Sequence, residues 1–421
     1  MPSIEIIAAC LFALALIHTF STKFFERLAH TYPKHEGLFH LLGEVEVVFG
    51  FWAVVLVAAI ALTVGGSEAI EYAESRHYTE PLFVFVIMVV AASRPVVETI
   101  QALVAYLARL APARFIIAQV WLCLALVPLI GSLITEPAAM TLAALMLAAL
   151  MLAPLVFRPG IPEWLKYAAL GVLFVNISVG GTLTSFAAPP VLMVAATWNW
   201  DSAFMAANFG WKAVIAVLIN ATVVTLVLRP HLADVESASG KDSESPTPAL
   251  VSVIHLAFLA AVVAFARHPV IFLGLFLFFL GFTQAYARYQ TPLILKEALL
   301  VGFFLAGLVV LGGMQQWWLQ PIVSSLEPTA LFFGALGLTA ITDNAALTYL
   351  GSLIEGISDS AKYMLVAGAV AGGGLTVIAN APNPAGVALL KQGFDDESIG
   401  AVGLLAGAAL PTIVAAAMFL V

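Results

Sequence analysis

Long apolar segments follow one another along almost the whole chain, and this succession limits what the chain can fold into. A helix needs about 20 apolar residues to cross a bilayer, and its backbone polar groups must be bonded within the segment because lipid offers no partners. Hydrophobic residues make up 62% of the 421 positions and charged residues only 10%, against roughly 45–50% and 25% in soluble domains. The sequence therefore predicts an all-α polytopic membrane protein, with apolar segments at 3–20, 41–65, 81–107, 115–134, 142–157, 166–197, 203–228, 250–266, 269–286, 298–314, 329–354, 362–390 and 399–421.

One polar stretch interrupts these segments near the middle of the chain. Residues 231–249 are rich in Ser, Asp, Glu and Pro and have no apolar periodicity. That composition is typical of a flexible linker. The linker divides the chain into a first half, residues 1–230, and a second half, residues 250–421.

The short loops between the apolar segments differ in charge. Loops 21–40 and 108–114 carry lysine and arginine, whereas loop 66–80 holds four glutamates against Arg76. Because basic loops stay in the cytoplasm, we expect these two basic loops and the 231–249 linker to be cytoplasmic and the N-terminus to be outside. Arg267, which this scheme places outside, is the loop cation that does not fit.

The two halves share a short polar motif. It reads ITEPAAMT at 134–141 and ITDNAALT at 341–348, which is 207 positions further along. Each copy lies between two apolar arms. We therefore predict that each copy is the tip of a re-entrant hairpin.

A second shared motif breaks a helix in each half. It reads GGTLTSFAAPP at 180–190 and GGGLTVIANAP at 372–382, 192 positions further along. Glycine and proline interrupt helices, and unwound backbone at membrane depth is tolerated only where protein or a water-filled cavity surrounds it. The residues predicted to break the helices are Gly180, Gly181, Gly372, Gly373, Gly374 and Pro382, together with Pro137, which follows Glu136 in the first hairpin motif.

The paired motifs also predict a topology. If each hairpin enters and leaves on the same side, every half crosses the membrane five times. An odd number of crossings turns the second half upside down relative to the first, which is a common transporter design. We therefore expect two inverted-topology repeats, with about ten spanning helices plus two hairpins.

Glu136 and Asp343, in the two hairpin motifs, are the candidate proton- and cation-binding carboxylates. A carboxylate inside a membrane is costly and marks a functional site by default, and it can hold either a proton or a metal ion. Neutral oxygen ligands are predicted from Thr135, Thr342, Asn344, Thr184, Thr376, Asn380 and Asn383. The second half is richer in such ligands, so we place a Na⁺ site near Asp343, Asn344, Asn380 and Asn383. The alternative is that both acids cap half-helices, and Pro137 fits this alternative at Glu136.

The remaining charged residues carry weaker hypotheses. Arg94 and Glu98 are spaced as a scaffold ion pair, and Glu44 and Glu46 are interfacial acids; the alternative is that these charges form a proton path or a second ion site. The histidine-rich segment 18–40 is either an interfacial helix or a pH sensor. No nucleotide-binding or hydrolase motif is present, so we expect no enzyme activity, no cofactor and no nucleic-acid partner.

These motifs resemble those of the ion-transporter superfamily, which includes NhaD-type antiporters and sodium-coupled carboxylate carriers, and in particular its bacterial Na⁺/H⁺ antiporter branch. The resemblance implies a homodimer in the bacterial inner membrane that works by an elevator movement. It also implies scaffold helices at 1–107 and 250–314 and transport-domain elements at 115–228 and 315–421.

The function predicted from these features is exchange of Na⁺ or Li⁺ for H⁺ across the lipid bilayer. The main alternative is a Na⁺- or H⁺-coupled transporter of a small anion or organic acid. The carboxylate carriers bear Ser-Asn-Thr at their hairpin tips, whereas this chain has Thr135-Glu136-Pro137 and Thr342-Asp343-Asn344. That difference favours a cation. A membrane enzyme and a passive channel are the other two alternatives.

Overall fold

The computed structural model describes residues 4–148, 156–157, 160–232, 247–394 and 398–421. Within these ranges all regular structure is helical, as predicted. Residues 233–246, which make up most of the predicted linker, lie outside the described residues.

The first half contains thirteen α-helices within the described residues. Asp201 caps the four-residue helix Ser202–Met205 by accepting a hydrogen bond of 2.7 Å from the Phe204 N–H. A π-helical turn, Ala206–Gly210, joins this short helix to the long helix Trp211–Leu228. The helices are α1 (Ile4–Thr31), α2 (Glu36–Gly43), α3 (Val45–Thr63), α4 (Gly66–Glu74), α5 (Thr79–Ala91), α6 (Arg94–Leu110), α7 (Phe115–Leu124), α8 (Leu126–Gly131), α9 (Glu136–Ala148), α10 (Glu163–Gly180), α11 (Pro189–Ala195), α12 (Ser202–Met205) and α13 (Trp211–Leu228).

The second half contains nine α-helices within the described residues. Several begin at a proline or a capping serine, as expected for helix N-termini; Ser358, for example, accepts a hydrogen bond of 3.2 Å from the Ala361 N–H. The helices are α14 (Ala249–Ala264), α15 (Pro269–Ala285), α16 (Leu295–Gly312), α17 (Gln316–Ser324), α18 (Pro328–Thr339), α19 (Asn344–Ser352), α20 (Asp359–Gly372), α21 (Asn383–Leu390) and α22 (Ala401–Leu420).

Five of these helical stretches are long and apolar enough to cross a membrane. The bent pair α5–α6 adds a sixth if the two helices are counted as one span. Several shorter apolar helices of 10–17 residues accompany them. A multi-pass membrane protein is therefore confirmed, while the number of ten crossings stays a prediction. The five spans are Glu46–Thr63, Glu163–Leu183, Ser202–His231, Leu295–Gly312 and Ala401–Leu420.

The apolar segment 81–107 is not one straight helix. Helices α5 and α6 meet at an angle of 65°. Ser93, between the two helices, has extended backbone, and Pro95 is the second residue of α6. In an unbroken helix the proline ring would clash with the carbonyl four residues earlier and remove a hydrogen bond. The predicted third scaffold helix is thus two helices, and the uniform apolarity of the segment concealed the boundary.

The two predicted hairpins turn back on themselves. In the first, α7 and α8 lead to a turn at 132–135 and α9 returns; in the second, α18 leads to a turn at 340–343 and α19 returns. Helices α18 and α19 have only 12 and 9 residues, well short of the ~20 needed to cross a bilayer. Re-entrant hairpins fit these lengths.

One group of packed helices joins the opening helices of both halves. Helix α16 packs on α3 and α5, and α5 also packs on α14 and α15. The α3–α16 crossing is close because both helices have glycine there: a Cβ on Gly307 would lie 2.3 Å from the Gly50 nitrogen. Small residues allow helix backbones to approach in membranes.

A second group joins the closing helices of both halves. Helix α10 packs on α22, α11 on α19, and α9 on α21. The α10–α22 crossing is also a glycine contact, since a Cβ on Gly171 would lie 2.3 Å from the Gly407 carbonyl carbon. Helix α10 is held by Asn176, which donates a hydrogen bond of 2.8 Å to the Leu124 carbonyl and accepts one of 3.0 Å from Asn220.

Candidate functional site

Glu136 is the first residue of α9, at the tip of the first hairpin, and Pro137 follows it. Its side chain is fully buried. The Asn380 amide, from the other half of the chain, donates a hydrogen bond of 2.7 Å to Glu136 Oε2. Helix α9 is capped instead by Thr135, whose hydroxyl accepts a hydrogen bond of 3.3 Å from the Ala138 N–H. Glu136 therefore does not act as the helix cap.

The second carboxylate oxygen of Glu136 lies against the break in α10. Within the described residues Glu136 Oε1 accepts no hydrogen bond, although it is buried. A Cβ on Gly181 would lie 2.3 Å from Oε1, closer than any side chain permits. Glycine at position 181 is therefore what lets the acid approach the unwound backbone.

Asp343, at the tip of the second hairpin, is placed differently. Its carboxylate accepts hydrogen bonds of 2.8 Å and 3.2 Å from the backbone N–H groups of Ala345 and Ala346, so it caps α19. Its side chain is half-buried rather than fully buried. The adjacent Thr342 hydroxyl donates a hydrogen bond of 3.0 Å to the Leu338 carbonyl in the preceding helix. The capping alternative thus holds for Asp343 and fails for Glu136, where Pro137 had favoured it.

Three predicted asparagine ligands are buried near these tips. The side-chain oxygens of Asn344, Asn380 and Asn383 accept no hydrogen bond from the described residues, and the amide nitrogen of Asn344 has no partner there either. The Asn383 amide donates hydrogen bonds of 2.8 Å and 2.9 Å to the carbonyls of Gly373 and Thr376. A Cβ on Gly373 would lie 2.9 Å from Asn344 Nδ2. The second hairpin tip and the second break thus bring together three amide oxygens without hydrogen-bond partners among the described residues. Buried polar atoms in native proteins are rarely left without such partners.

The two predicted threonine ligands of the broken helices make matching contacts. Thr184 donates a hydrogen bond of 2.6 Å to the carbonyl of Ser132, and Thr376 donates one of 2.9 Å to the carbonyl of Ala340. Ser132 and Ala340 each follow the last residue of the first arm of a hairpin. Each threonine therefore links a broken helix to the hairpin of its own half. Because the hydroxyl is the donor in this bond, its oxygen can still coordinate an ion.

The remaining glycines predicted at the breaks also lie at close contacts. A Cβ on Gly180 would lie 2.7 Å from the Pro128 carbonyl oxygen, and one on Gly372 would lie 2.6 Å from the Leu336 carbonyl oxygen. Both carbonyls belong to the first arms of the hairpins. Pro382 directly precedes α21, where its missing N–H removes no helix bond.

The two broken helices cross each other at positions that correspond in the two halves. Ser178 donates a hydrogen bond of 2.9 Å to the carbonyl of Val370, 192 positions later. Beside this contact, a Cβ on Gly374 would lie 2.4 Å from the Val175 nitrogen. The distance along the chain between Ser178 and Val370 equals the offset of the second motif, and neither motif had indicated this contact between the halves.

Arg94, Glu98 and His18, which were also singled out in the sequence, are bonded to partners outside the two hairpin tips. Arg94 and Glu98 form an ion pair of 2.6 Å on α6, with 11% and 31% of the two side chains exposed. His18 is bonded through both ring nitrogens, to the Leu42 carbonyl at 2.9 Å and the Trp52 indole at 3.1 Å. In the part of the chain that the structure describes, no three His, Cys, Asp or Glu side chains are grouped to hold a metal ion.

Glu46, for which the sequence left open an interfacial acid, a proton path or a second ion site, lies next to the site. It lines a narrow cavity with Asp343 and Asn380, and the cavity leaves about 40 Å³ open to the centres of water molecules. The motifs could not reveal this proximity because Glu46 belongs to neither repeat motif and reaches the site only through tertiary packing.

Almost the whole chain matches a family model. The family is described as "Putative Na⁺/H⁺ antiporter", and the match covers residues 3–421. The chain belongs to this family. It is therefore a membrane transporter, and the narrower placement in the ion-transporter superfamily stays a prediction.

The Alcanivorax borkumensis YdaH transporter is 14% identical in sequence, and the match covers 89% of this chain and 96% of that one with a TM-score of 0.43. No curated protein sequence gave a significant match.

Proposed function

We propose that this transporter exchanges Na⁺ or Li⁺ for H⁺ and that Glu136 holds either the cation or the proton. The observation that carries the proposal is the environment of this one carboxylate. Glu136 is fully buried, one of its oxygens is bonded to Asn380, and the other accepts no hydrogen bond within the described residues.

The charge of Glu136 needs compensation. A buried carboxylate costs several kcal/mol unless a proton or a cation neutralises it. Glu136 forms no ion pair with any lysine or arginine that the structure describes. A proton on Glu136 and a bare Na⁺ beside it therefore satisfy the same need, and each excludes the other. That competition is sufficient for antiport: the cation enters as the proton leaves.

The neighbouring side chains supply the oxygen atoms that a hard cation prefers. Carboxylate and amide oxygens suit such ions, and the side-chain oxygens of Asn344, Asn380 and Asn383 lack hydrogen bonds within the described residues. We place the Na⁺ or Li⁺ between Glu136 and these oxygens, with Asp343 adding negative potential. Thr135 and Thr342 are less suited, because their hydroxyls serve the helix ends.

An anionic substrate fits this site poorly. Two carboxylates point to the region where an anion would sit, and no lysine or arginine pairs with Glu136 or Asp343 among the described residues. Like charges at short range oppose binding. The cation reading is therefore the better of the two.

The packing supports an elevator movement. The opening helices of both halves pack with each other, the closing helices do the same, and the cavity beside Asp343 lies between the two groups. We propose that the second group slides against the first, with the halves in inverted orientation and the 231–249 linker in the cytoplasm. A homodimer in the bacterial inner membrane completes the proposal by resemblance.

The test is transport by the purified full-length chain in proteoliposomes with an acidic lumen and an internal pH dye. We expect external Na⁺ or Li⁺ to raise the lumen pH, and choline to have no effect. Vesicles that respond to the ionophore monensin but to no cation through the protein would overturn the proposal. Uptake of labelled succinate or citrate by the same vesicles would favour the anion alternative instead.

A further inference from the structure

A narrow cavity separates the opening helices from the tip of the second hairpin. Helices α1, α3 and α16 contribute one wall and the hairpin and second break contribute the other. The space of about 40 Å³ open to water centres leaves room for roughly three water molecules. Its polar and charged lining comes from Thr19, Glu46, Thr342, Asp343 and Asn380.

Two carboxylates face this cavity from opposite walls. Glu46 is the second residue of α3 and Asp343 caps α19. Asp343 has the backbone bonds of a helix cap, and Glu46, in the first turn of α3, is bonded to its own backbone N–H. Both acids line the cavity, and a carboxylate inside a membrane is costly unless an ion or a proton neutralises it.

The third polar group of the cavity points to a ligand independently of the acids. Asn380 is buried, it lines the cavity, and its side-chain oxygen accepts no hydrogen bond from the described residues. Its amide nitrogen is bonded to Glu136. Asn380 therefore connects the cavity on one side with the buried carboxylate on the other.

We propose that Glu46 and Asp343 together form an outer binding site for a partly hydrated Na⁺ or Li⁺, from which the ion passes by Asn380 to Glu136. The inference rests on the proposed function and adds a residue outside both repeat motifs to it. The two acids attract the cation, and the cavity lets it keep some of its water before Glu136 and the asparagines replace that water.

Among the residues that line the cavity, the charged ones are Glu46 and Asp343, so these two acids can act on the ion together. Helices α1 and α16 contribute Leu16, Thr19, Val301 and Phe304 to the cavity, none of which is charged. Glu44 does not line the cavity, but it adds a negative charge near Glu46. Of the other titratable groups near α3, His18 is bonded to Leu42 and Trp52, His40 pairs with Glu36, and Lys296 and Glu297 are exposed at the start of α16.

The experiment compares Glu46→Gln with Glu44→Gln in the proteoliposome assay across a pH series. The control removes an acid two residues away that does not line the cavity. We expect Glu46→Gln to raise the half-saturating Na⁺ concentration by about tenfold, because one unit charge near the ion is lost. Glu44→Gln, which removes a charge that does not line the cavity, should change it much less.

The pH dependence separates ion binding from a structural effect. In the wild type, protons compete with Na⁺ at both acids, so the half-saturating Na⁺ concentration rises as pH falls. With Glu46→Gln one competing site is gone, and we expect this rise to be shallower. Glu46→Asp should restore part of the wild-type slope, because it restores the charge.

Several outcomes would overturn the inference. If the wild type exchanges Na⁺ for H⁺ and Glu46→Gln matches Glu44→Gln in affinity and pH slope, Glu46 has no part in ion binding. If size-exclusion chromatography shows that Glu46→Gln unfolds, the Na⁺ affinity of Glu46→Asp decides. Wild-type affinity supports the inference, and an affinity as low as that of the apolar variant Glu46→Leu opposes it. Failure of wild-type exchange would instead reject the proposed function itself.

Discussion

At the scale of single residues, the two hairpin acids occupy equivalent positions but have different neighbours. Glu136 is buried and bonded to a side chain of the other half, whereas Asp343 is half-buried and bonded to its own helix. The motif showed where both acids are in the sequence. It could not show which would cap a helix, because capping depends on whether Thr135 or the acid itself takes the free N–H groups.

Removing the charge of Glu136 tests its role directly. Glu136→Gln keeps the size of the side chain and the Asn380 contact, and we expect it to abolish Na⁺-dependent proton exchange while the protein stays folded. Glu71→Gln, in an exposed part of α4, is the control and should exchange normally. Normal exchange by Glu136→Gln would show that this acid handles no ion.

At Asp343, capping and ion binding can be separated. Asparagine caps helices as well as aspartate does, whereas alanine does not and costs about 1 kcal/mol. We therefore expect Asp343→Asn to retain the thermal stability of the wild type and lose most exchange, and Asp343→Ala to lose both. Equal exchange by Asp343→Asn and the wild type would leave Asp343 as a helix cap alone.

Gly181 should tolerate no side chain. A Cβ there would meet Glu136 Oε1 at 2.3 Å, and relieving such overpacking costs roughly 1–3 kcal/mol. We expect Gly181→Ala to lower the unfolding midpoint in detergent and to weaken Na⁺ binding. Gly210→Ala, whose Cβ would meet no atom closer than 3.5 Å, should do neither.

At the scale of helices and hairpins, much of the architecture followed from the sequence. Glycine and proline at 180–190 and 372–382 predicted the breaks because backbone geometry limits what those residues allow, and the acid-bearing tips predicted the hairpins. The 65° bend between α5 and α6 was missed because apolar residues run through it. The Glu136–Asn380 bond was missed because no local pattern specifies contacts between residues 244 positions apart.

The matching threonine ties predict matching effects in the two halves. Thr184→Val and Thr376→Val each remove a hydrogen bond between a broken helix and its hairpin, which is worth about 1 kcal/mol. We expect both variants to unfold at lower temperature than the wild type. Thr63→Val, which removes only an exposed bond to Ala59 in its own helix, should not. A loss confined to one half would argue against equivalent ties.

At the scale of the whole molecule, the halves defined by the repeat are not the units that pack together. Helix α16 of the second half packs on α3 of the first, and α10 of the first packs on α22 of the second. Each group of packed helices thus draws on both halves. The repeats are read along the chain and do not specify this packing; it was the family resemblance, with scaffold helices at 1–107 and 250–314, that implied a grouping across the two halves.

This interleaving predicts how a divided chain behaves. Residues 1–232 and 247–421, expressed separately, should each be degraded because each exposes faces made for the other half. Co-expressed in one cell, they should associate and restore exchange, provided that the linker serves only as a connection. Recovery of a stable, monodisperse half on its own, measured by size-exclusion chromatography, would contradict this expectation.

The bond between Glu136 and Asn380 also has a bearing on the history of the chain. Asn380 corresponds to Ala188, 192 positions earlier, and a methyl group can neither donate a hydrogen bond nor coordinate an ion. Two identical halves fused after a gene duplication would carry the same residue at both positions. In the present chain one half supplies the acid and the other supplies the amide that holds it. The first half has no amide of its own at the corresponding position, so the two copies are no longer interchangeable.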